Sequence, residues 1–141
     1  MQSMALAGDD AIPVCGIPRK RTSAAVHVLR MEKMLDEVFS LIRQDWLSSI
    51  DMDCLLTMMA LDDETEDVLD YLTAQGSPLL IVSLTYIGLH SIFPQARWQC
   101  AELIGRRSIP DRVALLRQYA KDRDAYVAKR AGNVLEAIAD K

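Results

Sequence analysis

Few side chains in this chain have types that suggest chemistry, and their spacing argues against most of it. Histidines stand at His27 and His90, and cysteines at Cys15, Cys54 and Cys100. The histidines do not form a helical metal pair such as H-E-x-x-H, and no C-x-x-C occurs. The nearest nucleophile–base suggestion is Cys100 with His90. Cys100 occupies a small-residue slot of a helical pattern and His90 lies on a mainly apolar one, so an inert buried thiol is expected. There is no Gly-rich phosphate loop and no G-x-S-x-G. The carboxylates from Asp62 to Asp70 cluster at a helix start, where negative charge favours the positive end of the helix dipole. As a catalytic pair they carry no specific signal. The expectation is a protein that is not an enzyme and holds no cofactor or metal.

These residues need elements to hold them, and the composition names the kind. The chain has 141 residues, 50% hydrophobic and only 6% aromatic. That length suits one domain able to bury a core without disulfides. Plentiful Leu, Ala, Met and charged residues favour helices. Residues 1–22, with Gly8, Pro13, Gly16 and Pro18, lack periodicity and read as a flexible arm. Residues 23–141 read as one helical domain. Its first helix covers about Ala24 to Trp46, where Met31, Met34, Leu35, Val38, Leu41 and Ile42 recur at helical spacing. A second, capped by Ser48 or Ser49, covers Met52 to Leu61. A third opens at Asp62 or Asp63 and stops before Gly76. Ser77-Pro78 starts a fourth that ends at Leu89. Pro94 starts a fifth ending at Gly105, Pro110 a sixth ending near Lys121, and Asp124 caps a seventh.

The first twenty residues show no secretory pattern, because Asp9 and Asp10 interrupt any apolar core. The most apolar run, Leu79 to Phe93, is shorter than the ~20 residues needed to cross a bilayer. Three scattered cysteines fit a reducing compartment, so a cytoplasmic, non-membrane protein is expected.

Charge is distributed unevenly. The net charge is -4, yet no Lys or Arg occurs from Gln44 to Ala96, while Asp45, Asp51, Asp53, Asp62, Asp63, Glu64, Glu66, Asp67 and Asp70 do. The C-terminal third is basic, with Arg106, Arg107, Arg112, Arg117, Lys121, Arg123, Lys129 and Arg130 among its residues. Such polarity steers charged partners.

Self-similarity links the helices. Ala96 to Gly105 aligns with Val127 to Glu136 at an offset of 31 residues, placing Cys100/Ala101 on Ala131/Gly132 and Leu103/Ile104 on Val134/Leu135. Leu55 to Asp62 echoes Leu115 to Asp122. A small pair lets two helices approach, and the branched pair packs on the next hairpin. At these residues the chain resembles the HEAT-repeat family, whose second helix reads roughly V-R-x-x-A-A-x-x-L-G after an acidic turn. Ala96, Arg97, Cys100, Ala101, Ile104 and Gly105 fit one copy; Val127, Ala131, Gly132 and Leu135 fit another. Ala128 replaces the family's Arg, so its Asp–Arg ladder is incomplete. The resemblance covers about residues 50–141. It implies an all-α fold of stacked antiparallel hairpins, a short solenoid of about seven helices; an irregular helical bundle is the alternative.

In such a stack the second helix of each hairpin lines a concave groove. The register then turns Gln95, Trp98, Gln99 and Glu102 outward, with Tyr126, Lys129, Arg130 and Asn133 one repeat later and Glu64, Asp67, Val68 and Tyr71 one earlier. Trp98 either faces this groove or packs between repeats. Met52, Met58 and Met59 are expected in the core. The functional expectation is a protein-binding module, an immunity or inhibitor protein that neutralises a toxin or enzyme with a basic surface. Its binding residues would be Gln95, Trp98, Gln99, Glu102, Tyr126, Lys129, Arg130, Glu64, Asp67 and Tyr71 of this groove, together with Asp62, Asp63 and Glu66. The alternatives are a scaffold that holds a peptide in the groove and a nucleic-acid binder using the basic third. The pI of 5.1 argues against nucleic acid. An open stack also pairs readily with a second copy, and the first helix serves as either a cap or a homodimer face.

Overall fold

The computed structural model describes residues 24–44 and 47–139. The arm expected over 1–22, Cys15, Asp45 and Trp46 lie outside them, as does the side chain of His27. Among the described residues the chain is all-helical, with seven helices and no strand: α1 (Ala24–Ile42), α2 (Ser49–Leu61), α3 (Asp67–Gln75), α4 (Pro78–Gly88), α5 (Pro94–Arg107), α6 (Arg112–Tyr119) and α7 (Ala125–Ala139). None of these helices is long and apolar enough to cross a membrane.

Local sequence explains most boundaries. Ser48 accepts a hydrogen bond from the Asp51 amide and starts α2; Ser77 does the same for the Leu80 amide, with Pro78 in the first turn of α4. Asp124 accepts from the amides of Tyr126 and Val127 at the head of α7. Several boundaries differ from the sequence reading, among them the start of α2, at Ser49 rather than Met52, and the end of α5, at Arg107 rather than Gly105. Helix α1 ends at Ile42 rather than Trp46, and α6 starts at Arg112 rather than Pro110. Helix α3 begins at Asp67, because Asp62 folds its carboxylate over the intervening turn to accept from the Val68 amide and the Thr65 hydroxyl.

The helices pack in an alternating order. The odd-numbered helices touch in succession, α1 on α3, α3 on α5 and α5 on α7. Helix α2 packs on α4, and α4 is tied to α6 by the buried Tyr119 hydroxyl, which donates to the Thr85 carbonyl at 2.5 Å. Helix α5 is the hub, packing against α2, α3, α4, α6 and α7. Its surface is therefore buried nearly all round, from Ala96 to Ala101 and again at Leu103 and Ile104. Met52, Met58 and Met59 are core residues. Close approach is set by glycines other than the expected one. A Cβ on Gly88 would meet Cys100 Sγ at 2.6 Å and Tyr119 Oη at 2.9 Å, and one on Gly105 would meet Val134 Cγ1 at 2.6 Å. A Cβ on Gly132 would meet nothing within 4 Å, so at this slot of α7 Ala131 alone is packed.

One polar pair locks the last two hairpins. Arg97 donates from Nε and Nη2 to the two oxygens of Asp122 at 2.7 and 3.1 Å, and from Nη1 to the Ser91 carbonyl at 2.7 Å. Asp122 also accepts from the Asp124 amide. The two side chains are only 4% and 10% exposed. Burial raises the Asp122 pKa. The hydrogen bonds from Arg97 and the Asp124 amide, with the charges of Arg97 and Arg123, outweigh it and leave the carboxyl below its ordinary value.

Candidate protein-binding site

The turn between α2 and α3 gathers the expected acidic residues but uses them in three different ways. Asp62 is buried and structural, as the cap of α3, so it is no part of a binding surface. Glu66 and Asp70 are half neutralised. Arg106, from the last turn of α5, lies 3.9 Å from Glu66 and donates to Asp70 at 3.0 Å. The neighbouring Arg107 reaches into the end of α3 and donates to the carbonyls of Leu72 at 3.0 Å and Gly76 at 2.6 Å. Asp63, Glu64 and Asp67 remain. Their side chains make no hydrogen bond or ion pair among the described residues, and Glu64 and Asp67 are exposed. Tyr71, expected on the groove, is half-buried: its ring stacks on Phe39 at 4.3 Å between centroids, and its hydroxyl accepts from Arg43 at 2.8 Å. Val68 is fully buried.

The second group forms between α5 and α7. Trp98, Glu102, Tyr126 and Arg130 come together as one cluster, centred on Arg130. Its guanidinium lies 4.2 Å from the Trp98 ring centre and donates to Glu102 at 2.9 Å and Tyr126 at 2.5 Å. Trp98 meets Tyr126 edge to face at 5.8 Å. Burial works against the charge of Arg130, but Glu102 and Tyr126 outweigh it and raise its pKa above the ordinary value. Trp98 is 7% exposed under this lid, so it packs between helices rather than facing a groove.

Gln99 also departs from the expected surface. It is fully buried, and its amide donates to the Met59 carbonyl of α2 at 2.7 Å and the Gln95 carbonyl at 2.9 Å. The hub position of α5 leaves no outer face at that residue. Gln95, Tyr126, Lys129 and Asn133 remain exposed.

Several basic residues of the last third are engaged internally: Arg97, Arg106, Arg107 and Arg130 as above, and Arg112 by donating to the Ser108 hydroxyl at 2.7 Å. The sequence reading treated acidic and basic runs as separate faces and missed that Arg106 crosses to the acidic one. The pairing of a basic α5 end with an acidic α3 start was its only sequence signal.

Nothing brings Cys100 and His90 together as a catalytic pair. Cys100 is buried beside the Tyr119 hydroxyl, and burial raises its pKa to about 12 despite a hydrogen bond between the two that lowers it. Tyr119 is likewise raised well above 10.0, by burial and by its neighbours Cys100 and Asp122, with Arg97 opposing. His90 is exposed. Among the described residues no group of three His, Cys, Asp or Glu could hold a metal. No protein-family model, no curated protein and no solved structure matches the chain.

Proposed function

We propose that this chain is a non-enzymatic protein-binding module on a short HEAT-like stack. Its role is that of a cytoplasmic immunity or inhibitor protein, neutralising a toxin or enzyme through an acidic surface. One observation carries the reading. Asp63, Glu64 and Asp67 project from a single turn and the first turn of α3, without internal partners, in a stretch free of Lys and Arg. Carboxylates left unpaired in this way create a local negative field that draws in a positively charged surface and speeds its encounter. The stack is supported by the succession α1–α3–α5–α7 and by the Arg97–Asp122 bridge, which joins one hairpin to the next as the Asp–Arg ladder of such repeats would.

The test is affinity capture from the source cells at low salt. The wild-type chain is compared with Asp63→Lys/Glu64→Lys/Asp67→Lys. A basic protein retained by the wild type and lost by the variant is expected. An identical set of retained proteins would sink the reading.

A further inference from the structure

We propose that the outer face of α2, α4 and α6 is a two-fold interface that joins two copies of this chain. This surface is distinct from the acidic turn.

Helix α4, PLLIVSLTYIG, contains no charged residue. A helix apolar on every side is normally covered on every side. Here Leu80, Ile81, Leu84 and Thr85 face the core, while Leu79, Tyr86 and Ile87 are exposed. The surroundings extend the patch. Ile50 and Leu61 of α2 are exposed, and Ile92, in the turn after α4, is 78% exposed. Asp53, Leu56 and Thr57 of α2 line one hollow of about 390 Å³ with Ile87, His90, Ser91, Ile92 and Phe93, so α2 and the end of α4 share one largely apolar surface with polar residues at its rim. Large apolar side chains left exposed in such number mark an interaction surface.

Charge selects the occupant. Helix α2 carries Asp51 and Asp53 and no basic residue; α6 exposes Arg117, with Lys121 just beyond it and Asp111 just before it. Helix α4 lies between them, packed on α2 and hydrogen-bonded to α6. The face is thus acidic on one edge, apolar in the centre and basic on the other. A two-fold axis over α4 places α2 of each copy against α6 of the other. The same patch then complements itself, as a closed dimer requires.

Sedimentation equilibrium on the full chain tests this. The expected mass across micromolar concentrations is twice the 15.8 kDa of one chain. Ile87→Glu should weaken the dimer by ~30-fold or more. Asp53→Arg and Arg117→Glu should each weaken it about tenfold, and the two combined should restore it, because each swapped residue then meets the other. If Ile87→Glu lost its helical circular dichroism, Tyr86→Lys would be read in its place. A wild-type chain that stays monomeric overturns the proposal, whether the face is empty, meets a foreign protein or is covered by residues 1–22. A dimer indifferent to Ile87→Glu, or charge swaps that weaken it without rescue, overturns it as well.

Discussion

Arg97, Trp98 and Gln99 are three successive polar or amphipathic residues, and all are buried. Their partners are Asp122, Arg130 and the Met59 carbonyl, the last two belonging to distant helices. A linear pattern shows amphipathic spacing but not which polar groups find distant partners, so it turned Gln99 outward and left Trp98 open between the groove and the space between repeats. The buried pair offers the clearest test. Arg97→Met leaves Asp122 charged and unpaired, and should cost about 3–5 kcal/mol in urea unfolding. Adding Asp122→Leu should recover a large part of that, since two apolar groups need no pairing. Acid exposes the same pair. The folded pKa of Asp122 lies below its ordinary 3.8, so its stabilisation is complete above that value and disappears as pH falls through the lower folded one. Asp122→Asn should flatten the pH dependence of stability in that acidic window. Two glycines make a matched contrast. Gly88→Ala drives a methyl into Cys100 and Tyr119 and should destabilise by about 1–3 kcal/mol in the same assay. Gly132→Ala meets open space in a helix and should stabilise by about 0.5–1 kcal/mol.

At the scale of elements, local signals were legible and long-reaching ones were not. Ser48, Ser77-Pro78 and Asp124 mark helix starts because a short side chain reaches an amide two or three residues ahead. The start of α3 escaped that rule, since Asp62 caps from six residues away across a turn. Removing this carboxylate by Asp62→Ala should lower the melting midpoint and cost about 1–3 kcal/mol, because the Val68 amide loses its acceptor. Asp63→Ala, one residue on, should change stability by less than about 0.5 kcal/mol. The pair separates the structural acid from the surface acid. It also explains why Asp62 must be spared when the acidic surface is probed.

On the scale of the whole molecule, the division into an acidic middle and a basic end was readable from the residues alone. What it does in space was not. Part of it is spent internally: Arg106 meets Glu66 and Asp70, and Arg107 closes the end of α3. Outside those pairs, Asp63, Glu64 and Asp67 stand together at the α2–α3 turn and the start of α3. We infer that the acidic turn recruits a basic protein partner. It is tested most directly by the association rate constant of that partner, measured against ionic strength for the wild type and for Asp63→Lys/Glu64→Lys/Asp67→Lys. A rate that falls steeply with salt for the wild type, and is at least about tenfold slower and nearly salt-independent for the variant, is predicted. Equal rates with equal salt dependence would contradict it.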